Sequence, residues 1–387
     1  MNIEIVSQKV ICSNEGSLHS YFAWPSVARL KDGRLAMVAS GFRLAHICPF
    51  GKCIISYSSD EGQTWSLPAI VMDTPLDDRD GGITAFGESS VIVTSFNNNI
   101  EAQRNWSAWY HDSMTYRNSY LDLVEKKCDW EKYLGSTYRI SHDNGVTFGE
   151  LMKIPVGCPH GPAVMPDGTL LYVGRKFSAD DSFRDETHLS CYKMYPDGTF
   201  EYLSEIENVC WENDNSENMC SDMQGLERED LEQDCKKKAD SELVSCEPHA
   251  IVLEDGKIIV HIRVQGGKGV FTIYQSESCD GGKTFTKPHR LLAENGGSPA
   301  HIIDDNGTLI STYGYRNAPY GIRAMFSKDG GETWDIDNVI VDNGDNGDLG
   351  YPSSVVLENG SILTVFYAKP EGYSSAVIMQ VIWRYAG

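Results

Sequence analysis

The sequence predicts an all-β protein, a six-bladed β-propeller in which an N-terminal strand closes the last blade. Three observations carry this. A strand–turn–strand hairpin with an Asp-Gly or Asn-Gly turn recurs along the chain. A second turn, S-x-D-x-G-x-T-(W/F), recurs four times downstream of the hairpins. The first apolar stretch, Ile3-Glu4-Ile5-Val6, has no hairpin partner of its own and matches a blade that is one strand short at the C-terminus. A repeat of about 50 residues points to one domain built by repetition, because each unit buries its apolar face only against its neighbours.

The hairpins come in order. Trp24-Pro25-Ser26-Val27-Ala28-Arg29-Leu30-Lys31-Asp32-Gly33-Arg34-Leu35 is the first, and Pro159 to Leu170, Glu247 to Ile258, Ser298 to Leu309 and Tyr351 to Ile362 repeat it. Asp-Gly or Asn-Gly between apolar runs is the strongest short hairpin signal. A further copy, from Asp80-Gly81-Gly82-Ile83 to Val91-Ile92-Val93-Thr94, has lost its Asp-Gly turn. Six copies give six blades starting near residues 20, 76, 156, 244, 294 and 346, within a single domain spanning 1–387. The second motif appears at Ser58–Trp65, Ser141–Phe148, Ser278–Phe285 and Ser327–Trp334. Asp and Ser side chains cap backbone N–H groups in such a turn, and the glycine takes a positive φ. Two insertions interrupt the rhythm. Residues 100–135 read as helical, and residues 209–243 read as an acidic, solvated segment, partly helical, open to a role as lid or homo-oligomer contact.

The net charge of -22 and pI near 4.8 exclude a nucleic-acid-binding surface, which needs clustered Lys and Arg. No apolar run approaches the ~18 residues of a membrane span, and no secretory leader is visible after Met1, so the expectation is a cytoplasmic protein that does not engage membranes. The eleven cysteines form no paired framework. The spacings of Cys210, Cys220, Cys235 and Cys246 do not fit a zinc site, and neither a metal nor another cofactor is expected.

Repeat register locates a candidate site. Equivalent residues of the innermost strands form a ring at one end of the central channel. Nine residues before the turn glycine stand Trp24, Pro159, Glu247, Ser298 and Tyr351, and two residues later Ser26, Gly161, His249, Ala300 and Ser353. The ends of the second strands carry Arg43, Arg175, Arg263, Arg316 and Lys369. Polar groups converging on a concavity in a rigid scaffold make the default site.

The four-fold turn resembles the Asp-box of sialidases, where it is structural. The segment Glu247-Pro248-His249 through His261-Ile262-Arg263 is similar to the blade of that family in which a Glu opens one strand and an Arg ends the next. Gly350-Tyr351-Pro352-Ser353-Ser354 is similar to the stretch holding the family's nucleophilic Tyr. The resemblance implies an exo-glycoside hydrolase acting on a small anionic, sialic- or uronic-acid-like carbohydrate. Tyr351 would be its nucleophile and Glu247 the base, with Arg263 and Arg316 as carboxylate ligands. Two features depart from the family. Trp24 stands where its first Arg is expected, and the stretch Gly41–Gly51 holds no acid/base Asp. Asp80, or failing that His46, is the expected substitute acid. Arg43 is the expected substitute for the Arg, and Arg175, His160 and His249 are expected to contact substrate. Two other readings stay open: a propeller lyase using His, Arg and Tyr, and a glycan-binding propeller without catalysis.

Overall fold

In the computed structural model, residues 1–107, 114–176, 188–209, 243–266 and 270–386 are described. Six antiparallel sheets follow one another around a ring. Blade one holds β2 (Tyr21–Arg29), β3 (Leu35–Arg43), β4 (Lys52–Ser58) and β5 (Ala69–Met72). Blade two holds β6 (Arg79–Phe86), β7 (Ser90–Asn97), β8 (Gly135–Ser141) and β9 (Met152–Lys153). Blade three is the least regular. Two short pieces, β10 (Val156–Gly157) and β11 (Ala163–Val164), pair with β12 (Leu170–Lys176), followed by β13 (Leu189–Met194) and β14 (Phe200–Ile206). Blade four holds β15 (Leu243–Val252), β16 (Ile258–Gly266), β17 (Val270–Ser278) and β18 (His289–Arg290). Blade five holds β19 (Ala300–Asp305), β20 (Thr308–Tyr315), β21 (Gly321–Ser327) and β22 (Asp335–Val341). In blade six, β23 (Gly350–Val356), β24 (Ile362–Ala368) and β25 (Val377–Ala386) are completed by β1 (Asn2–Cys12), antiparallel to β25. The N-terminal strand therefore closes the ring, as the sequence predicts, and covers what would be a free sheet edge.

The apolar core lies between blades. Met37 and Ile54 of blade one pack with Leu363, Val365 and Ile378 of blade six. Leu171 and Val173 of blade three pack with Ile258, Val260 and Ile262 of blade four. The four S-x-D-x-G-x-T turns add polar locks to these interfaces. In the first, Asp60 accepts from Ser58 Oγ and Thr64 N, both at 2.8 Å, and Ser58 Oγ accepts from Gly62 N at 2.9 Å. The turn then docks on the preceding blade: Gln380 Nε2 donates to Gly62 O at 2.9 Å, and Trp65 Nε1 donates to Gln380 Oε1 at 2.8 Å. The same glycine carbonyl is held by Tyr57 at Gly145, by Ser204 at Gly282 and by Gln275 at Gly331. The motif thus works at two levels, closing its own hairpin and clamping the neighbouring sheet.

The 100–135 insertion contains α1 (Ile100–Ser107) and α2 (Met114–Lys127), packed over blades one and two through Leu76, Ile100, Leu121 and Val124. The 209–243 insertion lies outside the described residues apart from its ends, and so do Cys210, Cys220 and Cys235. Cys246 is a buried free thiol. Among the described residues, no helix is long and apolar enough to cross a membrane.

Candidate active site

The innermost strands bear the feature that builds the site. Non-glycine residues rarely take positive φ, since Cβ crowds the carbonyl at a cost of roughly 1–2 kcal/mol. Four do so at one level of the ring: Trp24 (φ 54), Asp80 (φ 47), Glu247 (φ 45) and Tyr351 (φ 49). At each, the pairing with the second strand skips, between Ala23 and Ser26, Arg79 and Gly82, Cys246 and His249, and Gly350 and Ser353. A bulge of this kind re-aims a side chain that a regular strand would send into a blade interface. Blade five has no such skip. Its absence moves His301, not Ala300 as the sequence register has it, to the level of His249. His249 pairs with His261 and His301 with Thr312, and each of those strands leads on through the same count to Ser278 or Ser327.

Tyr351 and Glu247 come from blades six and four, and at the equivalent position blade five between them carries Ser298, whose hydroxyl accepts the Tyr351 N–H at 3.0 Å. Across that gap the Tyr351 hydroxyl lies 2.8 Å from both oxygens of Glu247. Arg263 Nη1 donates to Tyr351 Oη at 3.1 Å and also to Glu247 Oε2. Burial, then the Glu247 charge, pushes the Tyr351 phenol well above its ordinary range. Burial opposes ionisation of Glu247, but the Arg263 charge and hydrogen bond hold its carboxyl below the usual range. Near neutral pH the pair is therefore a phenol donating to a carboxylate.

Arg316 stands beside them, its Cζ 5.6 Å from the Tyr351 ring centroid. It is anchored by Leu349 O (2.7 Å), Gly297 O (3.1 Å) and Tyr367 Oη (3.0 Å), which leaves two of five N–H groups without these partners. Asp80, on the blade-two bulge, is 2 % exposed, and burial, partly offset by Arg79, raises its pKa to about 7. His46 sits edge-on to Trp24, ring centroids 4.9 Å apart, with Nδ1 3.2 Å from Asp348 Oδ1.

Four expected substrate contacts land elsewhere. Arg43 is completely buried and gives its N–H groups to Asp77 (2.5 and 2.9 Å), Ser40, Ala45 O and His46 O. It braces the 44–51 loop in place of meeting a ligand. His160 and His249 lie one level deeper in the channel, against His301. His249 Nδ1 accepts the Ile302 N–H at 3.1 Å, His301 Nδ1 that of Ser354 at 3.3 Å, and Ser353 Oγ that of Val27 at 3.0 Å. These bonds form a belt from blade four through five and six to blade one, beside a cavity of about 340 Å³ lined by His160, His249 and His301. Arg175 extends along blade three opposite Gly157, where its charge reaches the Cys246 thiol.

Sequence reasoning passed over Arg79, Asp348, Tyr21 and Tyr367. Arg79 Cζ lies 4.1 Å from the Trp24 ring centroid, and Arg43 Cζ 4.7 Å. Two guanidinium groups thus pack on Trp24. Asp348 lies in a Gly/Asn/Asp loop whose composition signals only a turn. Among the described residues, no His/Cys/Asp/Glu group is arranged to hold a metal ion.

The sequence profile of the BNR repeat-like domain family matches residues 123–364, more than half of the chain, which therefore belongs to that family. No curated protein sequence matches the chain. Among solved structures, a protein of unknown function from Dyadobacter fermentans aligns over 99% of both chains with 18% identity and a TM-score of 0.70. The NanB sialidase of Streptococcus pneumoniae aligns over 97% of this chain and 70% of its own, with 13% identity and a TM-score of 0.63. A Trypanosoma rangeli sialidase, solved with the inhibitor DANA, aligns over 97% of this chain with 13% identity and a TM-score of 0.60. The chain spans 58% of that sialidase's length. The shared architecture is the sialidase-like six-bladed propeller.

Proposed function

We propose that the protein is an exo-glycoside hydrolase that releases an anionic sugar acid, with Tyr351 as nucleophile and Glu247 as the base that activates it. The observation that carries this reading is the Tyr351 hydroxyl placed 2.8 Å from both Glu247 oxygens, with Arg263 on the same two groups. A carboxylate nucleophile repels a substrate carboxylate, whereas a neutral phenol does not, and Tyr is an attested glycosidase nucleophile for this reason. Glu247 takes the phenol proton as the oxygen attacks, and Arg263 stabilises the charge that develops there. Arg263 and Arg316 are the forks available to the substrate carboxylate. Asp80 and His46 are the two candidates to hand a proton to the departing oxygen.

The test is a panel of 4-methylumbelliferyl glycosides of sialic and uronic acids, with neutral hexosides as controls. Wild type should release the fluorophore from one or more anionic members. Tyr351→Phe should lose turnover by at least about 100-fold while keeping its melting temperature and its affinity for DANA or the matching sugar acid. Turnover of neutral hexosides alone would refute the anionic substrate. An ultraviolet-absorbing unsaturated product would replace hydrolysis with elimination.

A further inference from the structure

We infer that the proton reaching the leaving oxygen comes from His46, and that Asp348 is the residue that positions it. The assignment rests on the hydrolase reading above. His46 lies in the loop between β3 and β4, and its backbone is fixed by two guanidinium groups: its carbonyl accepts from Arg43 Nη2 at 2.8 Å and from Arg79 Nη1 at 3.0 Å. Its ring is fixed by the loop before blade six. Nδ1 lies 3.2 Å from Asp348 Oδ1 and 3.0 Å from Tyr21 Oη.

The donor directions in this cluster resolve the tautomer. Arg316 Nη2 donates to Tyr367 Oη at 3.0 Å, and Tyr367 donates onward to Asp348 Oδ1 at 3.2 Å. Tyr21 Oη is 3.0 Å from both Asp348 oxygens, so its single proton goes to the carboxylate. Nδ1 of His46 then faces only lone pairs and must carry a hydrogen. Nε2 is left as the nitrogen that exchanges a proton. This is the reverse of His249 and His301, whose Nδ1 atoms accept backbone N–H groups.

Access favours His46 over Asp80. The His46 side chain is 30% exposed, whereas Asp80 is 2% exposed. A group serving the aglycone side of a glycosidic bond has to meet the part of the substrate that leaves. His46 is also one ring away from the nucleophile, since Trp24 packs on both His46 (4.9 Å) and Tyr351 (6.4 Å). The charged and titratable groups facing the imidazole are Asp348, Tyr21, Arg43 and Arg79. Burial lowers the His46 pKa, partly offset by the Asp348 hydrogen bond, so the resting ring is the neutral Nδ1–H form. The acid form arises by uptake of a solvent proton at Nε2, favoured on the acid side of neutrality.

The step balances as follows. The Nε2–H of the His46 imidazolium passes to the glycosidic oxygen as the bond from that oxygen to the anomeric carbon breaks, and the aglycone leaves as a neutral alcohol. The Tyr351 oxygen bonds to the same carbon as its proton moves to Glu247. Neutral His46 then takes a proton from the water whose oxygen bonds to the anomeric carbon. The Tyr351–carbon bond breaks, and the phenolate recovers its proton from Glu247.

The experiment compares aglycones. Good leaving groups depart without protonation, so loss of the acid should be felt only by poor ones. With the 4-nitrophenyl and methyl glycosides of the sugar acid that wild type cleaves, His46→Asn and Asp348→Asn should each lose about 100-fold or more on the methyl glycoside and less than about 10-fold on the nitrophenyl one. Asp80→Asn should lose the same factor on both. Nitrogen-15 NMR of the histidines in the wild-type protein should show His46 as the Nδ1–H tautomer, a readout that needs no substrate. Equal losses on both aglycones in His46→Asn, aglycone-dependent losses in Asp80→Asn, or an Nε2–H tautomer at His46 would each overturn the assignment while leaving the hydrolase reading intact. A wild type that cleaves no glycoside overturns the hydrolase reading and this assignment together.

Discussion

At the scale of single residues, the ring is an exercise in charge placement. Arg43, Arg79, Arg263 and Arg316 face Asp77, Asp80, Glu247 and Asp348. Asp80 tips that balance. Burial raises its pKa to about 7, so it is mostly neutral below pH 7 and becomes a carboxylate above it. With Asp80 neutral, four cations meet three anions, and the ring favours an anion. We therefore expect DANA, or the cognate sugar acid, to bind more weakly as pH rises through about 7. Asp80→Asn, neutral throughout, should flatten that dependence. Calorimetric titration from pH 5.5 to 8.5 checks this, and a wild-type affinity that does not change across pH 7 would contradict it. None of this balance was readable from Asp77-Asp78-Arg79-Asp80 as a string, because the run looks like any acidic loop. Its meaning comes from burial: Asp77 is paired with Arg43, Asp78 is hydrogen-bonded by the Thr74 N–H and hydroxyl, and Asp80 Oδ1 is buried with no hydrogen-bond partner among the described residues.

At the scale of elements, the hairpin and the S-x-D-x-G-x-T turn were legible because their residues act locally. Gly33 holds a positive φ after Asp32, and the Asp32 carboxylate accepts the Arg34 N–H at 3.1 Å, all within a few residues. The bulges were not legible. Their positive φ falls on Trp24, Asp80, Glu247 and Tyr351, of which only Asp80 is a residue type that tolerates that conformation, and the packed ring holds them there. The missing bulge in blade five shifts His301 by one level for the same reason. A structural role for the turns predicts that Asp280→Ala lowers stability by about 1–3 kcal/mol through lost turn hydrogen bonds. Turnover per folded molecule should stay near wild type. Denaturant melts with parallel kinetics decide the point, and a large fall in turnover at unchanged stability would refute it.

At the scale of the whole molecule, closure is what makes the site. β1 completes blade six, the turn locks tie blades one, two, four and five each to the blade before, and the histidine belt joins inner strands of blades four, five, six and one. The buried histidines of the belt, and His261 beside it, have a cost at low pH. Burial lowers His160 to about 4 and His261 to about 4, and lowers His249 and His301 well below the ordinary value. A folded pKa below the unfolded value near 6.5 means that stability is fully present above pH 6.5 and is lost as pH falls toward 4, by up to roughly 3 kcal/mol for His160. Asp78 and Asp80, both raised to about 7, work in the opposite sense, contributing stability at low pH that is lost as pH rises through about 7. Four histidines against two carboxyls leave a net acid lability. The melting temperature should drop between pH 6.5 and 4, and His301→Asn, which keeps an acceptor for the Ser354 N–H without a titrating group, should show a shallower drop. A melting temperature that holds or rises toward pH 4 would contradict this.

The central claim is that Tyr351 forms a bond to the sugar. It is tested most directly by trapping that bond. The protein would be incubated with the 2,3-difluoro or 2-deoxy-2-fluoro derivative of the sugar acid that wild type cleaves, then digested, and the labelled peptide sequenced by mass spectrometry. The account predicts one stoichiometric adduct on the Tyr351 hydroxyl, absent in Tyr351→Phe and slow to form in Glu247→Gln. An adduct on Asp80, Glu247 or a histidine, or no adduct on an enzyme that turns the parent sugar over, would contradict it.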